Sequence, residues 1–275
     1  MNCYNLKLLN FNEGLLDSSI DATYIIHLEG NGRLNHIYNM LNEYQPSKIV
    51  YIVFNKGYKK CNKGEYINSP SLDLIDTYLN IFKDAQFKNY NNILILEDDF
   101  TFLPEIKNKE IIYNINDFIE SHKDEEFVYY LGCIPFLRIP NINHSFAIFT
   151  GGSHACIYSN KFIENINKKI IDTKDWDTYL NFNYINKRYM NNKLLCYQLF
   201  PETENSKEWG NQNYIFSFVC RLTFKLFKLL KLDKQHDIGY PFFYTLSLIN
   251  FIIIIVLILL FIRIVIPNKK IVNTE

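Results

Sequence analysis

The residues best equipped for chemistry lie in one run, Ile93-Leu94-Ile95-Leu96-Glu97-Asp98-Asp99-Phe100, where an apolar stretch ends in three successive carboxylates. Adjacent carboxylates repel one another, so the cluster is unfavourable unless a cation or hydrogen-bond donors neutralise it. A hard divalent ion such as Mn²⁺ or Mg²⁺, chelated at the same time by a diphosphate, would resolve the conflict. The competing reading is a solvated acidic turn that merely ends a strand, and the run alone does not choose between the two. His154 follows Gly151 and Gly152. Two glycines let backbone pack close to a ligand, and a neutral imidazole could ligate a metal or bond a phosphate. Against that stands a structural histidine beside a strand. Trp176 and Trp209 have the area to stack on a sugar ring, and equally the area to fill a core.

The elements that must position these groups follow from hydrophobic patterning. Stretches 23–28, 48–54, 93–96, 127–131, 146–150 and 194–199 are short and rich in β-branched and aromatic residues. Several are nearly continuous apolar runs, which predicts strands buried on both faces of a parallel sheet. Between them, Leu72, Ile75, Leu79 and Phe82 recur at helical spacing after Ser69-Pro70, a cap and first-turn pair. Strands alternating with helices predict an open α/β sheet of one domain. In such sheets ligands bind beyond the carboxyl ends of the strands, which is where the acidic triplet falls.

Composition narrows the function classes. Lys plus Arg equals Asp plus Glu at 29 each in 275 residues, so no basic field draws nucleic acid, and a nucleic-acid partner is not expected. The six cysteines, Cys3, Cys61, Cys133, Cys156, Cys196 and Cys220, are scattered without a CxxC pair. They read as free thiols, which favours a reducing compartment. Residues 1–16 lack a basic then apolar leader. From 242 to 262 no side chain is charged, enough length to cross a bilayer, with Tyr240, Phe242, Phe243 and Tyr244 at one end and Arg263, Lys269 and Lys270 at the other. Just before it, Arg221, Lys225, Lys228 and Lys231 share a helix face, as in a helix lying in the membrane interface; a surface helix of the domain is the alternative. The expected division is an N-terminal segment 1–19, a catalytic domain 20–210, a basic amphipathic helix 211–239, a transmembrane helix 240–266 and a tail 267–275. A single span this late in the chain predicts insertion after synthesis, with the large domain in the cytosol.

Several segments together resemble glycosyltransferase family 25, which includes lipooligosaccharide and collagen galactosyltransferases. They are Thr23-Tyr24-Ile25-Ile26-His27-Leu28 with Gly32-Arg33-Leu34, the helix at 72–85 leading into 93–99, Tyr129-Tyr130-Leu131-Gly132, Gly151-Gly152-Ser153-His154-Ala155-Cys156, Asp175-Trp176-Asp177, and the segment from Gln198 to Ser206. The resemblance covers about residues 20–210, with the features in order; His27 stands where the family has Asn, and Ser153 and Cys156 where it has Thr and Tyr. It implies a GT-A-like, Rossmann-like domain that binds a UDP-sugar, UDP-galactose above all. By similarity Asp99 would ligate Mn²⁺ or Mg²⁺ with Asp98 beside it, and Glu97 or Asp98 would contact the ribose or a metal-bound water. Arg33 would meet the uridine or a phosphate as a fixed cation.

Inverting transfer further requires a carboxylate to take the proton of the attacking hydroxyl of a glycan or glycoprotein acceptor. Asp175 and Asp177 are the candidates, and either could instead serve the start of a helix, Asp175 as N-cap and Asp177 on the helix dipole. Two rival classes share these features: a metal-dependent nucleotidyltransferase, for which Gly30-Asn31-Gly32-Arg33 is a faint phosphate loop, and a membrane-anchored scaffold that keeps the fold without turnover.

Overall fold

The computed structural model of the chain describes residues 3–169, 173–199, 225, 228–229 and 236–265. Seven strands form one mixed sheet in the order β1-β3-β2-β4-β7-β6-β8. Their ranges are β1 Tyr4–Asn10, β2 Ala22–Leu28, β3 Ile49–Asn55, β4 Asn92–Glu97, β6 Val128–Ile139, β7 His144–Ser159 and β8 Arg188–Asn191. Two short strands, β5 Phe100–Phe102 and β9 Cys196–Gln198, pair antiparallel beyond the end of β4. The helices are α1 Leu34–Glu43, α2 Pro70–Phe87, α3 Lys109–Ser121, α4 Asn160–Ile166, α5 Trp176–Asn183 and a C-terminal α6 His236–Val265.

Period-two alternation divides the core into two layers. Along β4, Ile93 and Ile95 join Tyr24, Tyr78, Phe82, Tyr158, Phe162 and Trp176 on the face covered by α2, α4 and α5. Leu94 and Leu96 join Ile37, Leu41, Ile111, Ile115 and Phe118 on the face covered by α1 and α3. Both faces are apolar, which is why these strands read as unbroken hydrophobic runs. Helix α2 starts as its sequence demands: the Ser69 hydroxyl accepts from the Leu72 N–H at 3.3 Å and Pro70 fills the first turn.

Three expectations give way here. The sheet is mixed rather than parallel. β2 runs parallel to β3 and β4, but β1 is antiparallel to β3 and β7 is antiparallel to both β4 and β6. The boundary at residue 20 is displaced, because β1 is an edge strand of the main sheet, in register with β3 from Tyr4 opposite Asn55 to Asn10 opposite Ile49. The third correction concerns the thiols: Cys3 and Cys61 form a disulfide across 58 residues. The β1–β3 register brings Cys3 beside Lys56, whose N–H bonds the Cys3 carbonyl, and the turn after β3 returns Cys61 to it. With that bond, the ground for expecting a reducing compartment falls away. Cys133, Cys156 and Cys196 are free and buried as read, and Cys220 lies outside the described residues.

Helix α6 has two unlike halves. Tyr240, Phe243, Tyr244 and Ser247 are buried against the domain. The Phe243 ring lies 6.0 Å from that of Phe136, Arg138 donates to the Tyr244 carbonyl at 3.2 Å, and Asn250 donates to the Phe136 carbonyl at 2.8 Å. Beyond Asn250 the apolar side chains stand bare, with Leu257 58% and Ile264 79% exposed. By length and composition, 239–265 can cross a membrane. The basic helix expected at 211–239 lies largely outside the described residues, although Lys225 and Lys228 are helical and exposed.

Candidate functional site

The site lies where the parallel connections of the sheet diverge. From β2 the chain passes through α1 to β3 on one side, then through α2 to β4 on the other, a switch point of the kind beyond which open α/β sheets bind ligands, here past the carboxyl ends of β2 and β4. The acidic triplet closes β4 at that point. Strand alternation separates the acids: Glu97 faces α2, Asp98 faces the β2–α1 loop, and Asp99 follows in the turn to β5.

Glu97 receives the Tyr78 hydroxyl at 3.4 Å. Burial pushes its carboxyl well above the ordinary value, and the neighbouring charges of Asp99, Asp177 and Asp98 add to the rise. Asp98 is satisfied on both oxygens. Oδ1 accepts from Arg33 Nη1 at 2.6 Å, and Oδ2 meets His27 Nδ1 at 3.3 Å, the Leu28 N–H at 3.2 Å and the Asn31 amide. Burial works against its charge, but His27, Arg33 and Asn31 outweigh it and hold Asp98 below its usual value. Asp99 Oδ2 accepts from Arg33 Nη1 at 3.2 Å and from Gln198 Nε2 at 3.1 Å. Its Oδ1 is buried and finds no donor among the described residues. Burial, opposed by Arg33, pushes this carboxyl up to about 7.

On the other side of β4, Asp177 Oδ2 accepts the Gly152 N–H at 2.8 Å. Gly152 has φ +78°, a backbone conformation open to glycine, and it turns that N–H onto the acid from within β7. Burial, then the charge of Asp175, pushes Asp177 up to about 6. Its helix is held by the fully buried Arg188, which donates to Asn181 Oδ1 at 2.7 Å and to Thr150 Oγ1 at 3.0 Å. Asp175 is the N-cap of α5, accepting the Thr178 N–H at 2.7 Å.

His154 is 1% exposed, and its Nε2 lies 3.4 Å from the Cys196 carbonyl, while Nδ1 has no partner among the described residues. Burial pushes it down to about 4, so the ring is neutral near pH 7. β9 approaches β6 so closely here that a Cβ on Gly132 would stand 1.6 Å from the Cys196 carbonyl oxygen.

Of the residues singled out from sequence, Glu97, Asp98, Asp99, Asp177 and Arg33 converge, His154 borders them, and Asp175 serves its helix start. Trp176 is core: its Nε1 donates to Tyr158 at 3.0 Å and its ring stacks on Tyr78 at 5.1 Å. Trp209 lies outside the described residues. The roles of His27, Asn31, Tyr78 and Gln198 escaped sequence reading, because each depends on a contact made across the fold.

For a divalent ion, the fit differs within the triplet. Asp99 offers an unpartnered buried oxygen, the donor a hard cation takes. Asp98 is more committed, with three donors on Oδ2 and the Arg33 guanidinium on Oδ1. Among the described residues no group of three or more His, Cys, Asp or Glu side chains forms a metal cluster, so most ligands of an ion here would come from a diphosphate and water.

No family model and no curated protein matches the chain, so the resemblance to glycosyltransferase family 25 stands on its motifs. Among solved structures, the chain is similar to A197 from STIV, at 15% identity and TM-score 0.41, over 66% of this chain and 85% of that one. It is also similar to a glycosyltransferase involved in the glycosylation of the major capsid of PBCV-1, at 12% identity and TM-score 0.38, over 68% of this chain and 96% of that one. At identities and TM-scores this low, neither likeness carries an activity over to this chain.

Proposed function

We propose that the chain is a metal-assisted glycosyltransferase that moves a hexose, galactose by preference, from a UDP-sugar to a hydroxyl of a glycan or protein-linked acceptor, with α6 as its membrane span. One observation carries the reading: a buried carboxylate oxygen, Asp99 Oδ1, left bare at the switch point of the sheet beside the Arg33 guanidinium.

A divalent ion held by Asp99 would supply Lewis-acid stabilisation of the departing diphosphate. The chain's residues account for the rest. Asp98, fixed by Arg33, His27 and Asn31, ties the β2–α1 loop to the end of β4 and so sets one wall of the site. Arg33 sits between Asp98 and Asp99 with its side chain 21% exposed, near enough to the surface to meet a phosphate while remaining paired. Glu97, whose carboxyl burial pushes well above its ordinary value, would hydrogen-bond the donor's ribose or sugar. Asp177 is the base. The acceptor hydroxyl attacks the anomeric carbon, its proton passes to the Asp177 carboxylate, and UDP departs from the opposite face, inverting the configuration. An acid pushed up to about 6 is ionised near pH 7 yet still basic enough to take that proton. Asp175 is left to its cap.

The test is a panel of UDP-sugars with Mn²⁺, comparing wild type with Asp99→Ala for release of UDP. Turnover in wild type and its loss in the variant supports the assignment. Binding and turnover of no nucleotide sugar by either protein sinks it in favour of a scaffold. Release of pyrophosphate from nucleoside triphosphates would make the chain a nucleotidyltransferase.

A further inference from the structure

The docked half of α6 reaches the wall of the site. Tyr240 is 1% exposed, and its hydroxyl engages one residue twice, accepting the Gln198 N–H at 3.1 Å and donating to the Gln198 carbonyl at 3.1 Å. Gln198 ends β9 and pairs with Phe100 of β5, the residue next to Asp99. Its side-chain amide donates to Asp99 Oδ2, and the following Leu199 N–H bonds the Asp99 carbonyl at 2.8 Å. Asp99 therefore has its backbone and one side-chain oxygen gripped by the end of β9, and that end is gripped by Tyr240. Rotating the carboxylate to exchange its oxygens would break the bonds to Gln198 and Arg33 together, so Oδ1 is the oxygen left open.

We propose that Tyr240 is a positioning residue for the metal site: acting through Gln198, it keeps Asp99 Oδ2 engaged and Oδ1 presented, which makes the C-terminal apolar helix a wall of the site as well as an anchor. This rests on the reading of Asp99 as a metal ligand. Groups that orient a ligand from behind are worth on the order of tenfold or more in metal affinity. A tyrosine that only packed would contribute through its ring, and its hydroxyl would be dispensable to the ion.

The experiment uses the full chain in detergent micelles, with Mn²⁺ titrated in the presence of UDP and free Mn²⁺ read by electron paramagnetic resonance. Tyr240→Phe keeps the ring and removes the hydroxyl, and Gln198→Ala removes the amide at the strand end. Each is expected to weaken Mn²⁺ binding on the order of tenfold with little change in thermal unfolding, and the double variant to be no weaker than the poorer single. Wild-type Mn²⁺ affinity in Tyr240→Phe, alongside lost binding in Asp99→Ala, overturns the positioning role and leaves the metal site standing. Additive losses in the double variant overturn it too, since the two residues would then act by separate routes. Should Tyr240→Phe fail to fold, wild-type affinity in Gln198→Ala alone is enough to reject the relay. Unchanged binding in Asp99→Ala would instead remove the metal reading itself, and this proposal with it.

Discussion

On the β2 side of β4, Asp98 is surrounded by the Arg33 guanidinium, the His27 ring, the Asn31 amide and the Leu28 N–H, and it is held in its charged form. On the β7 side, burial and then the charge of Asp175 raise the Asp177 carboxyl to about 6, outweighing the Gly152 N–H, the Ser153 side chain and the Arg188 charge, which favour its ionised form. Two aspartates on opposite sides of β4, one buried and one partly exposed, thus have opposite protonation tendencies, set for Asp98 by the donors around it and for Asp177 by desolvation and the charge of Asp175. A charge that is fully paired is a fastener, whereas one left under-paired is ready to change state. On the proposed reading, the contrast divides labour within the site: the β2 bank builds the wall and the β7 bank would move a proton.

The contrast can be tested where it predicts the largest effect. Asp177→Asn should lower kcat/KM by about 10²–10⁴-fold, the usual loss when a general base is removed, without reducing stability to denaturant. A loss of stability together with activity would make Asp177 a fastener like Asp98. Next in size, Arg33→Ala leaves Asp98 and Asp99 buried without their common cation, and should lower unfolding stability by about 2–4 kcal/mol in urea melts. An unchanged melt would mean the β2 bank is not held by charge.

The smallest effect is a matter of pH. Because the folded Asp177 carboxyl lies above the ordinary value near 3.9, its protonated form favours the folded state. Its contribution is present below about pH 4 and lost as pH rises through about 6; the rise in its carboxyl sets an upper bound of roughly 3 kcal/mol, which solvent screening of this partly exposed group reduces. Asp98 has the opposite sign, since its contribution disappears only as pH falls below the ordinary carboxylate range. Asp177→Asn should flatten the decline between pH 4 and 6 in chemical melts while leaving the acid limb, and the same group should give kcat/KM an acid limb near pH 6 that Asn abolishes.

Much of the frame was legible because it repeats locally. The β4 run, the Ser69-Pro70 start of α2 and the apolar C-terminal stretch each carry their own signal within a few residues. β1 carried none: an edge strand with most of its side chains exposed shows no buried face to give a period. The direction of β7 was equally invisible, since an apolar strand reads alike in parallel and antiparallel settings. In the site, the acids could be named from their sequence positions, but their division could not. Which carboxylate is satisfied depends on Asn31 and Arg33 meeting β4 across more than sixty residues, and on Gln198 reaching Asp99 across 99. Asp175 illustrates the converse. It has the right chemistry for a base, and the local geometry of a helix start claims its oxygen first.

The link between Cys3 and Cys61 has a practical corollary for anyone producing the protein. It is the latch on β1, and β1 shields the outer rim of β3, whose sequence Ile49-Val50-Tyr51-Ile52-Val53-Phe54 is strongly strand-forming. Made in a thiol-rich host, the latch stays open, the rim can shed its cover, and neighbouring molecules gain an edge on which to zip. Yield and monodispersity should therefore track the oxidant supplied during expression more closely than the choice of detergent.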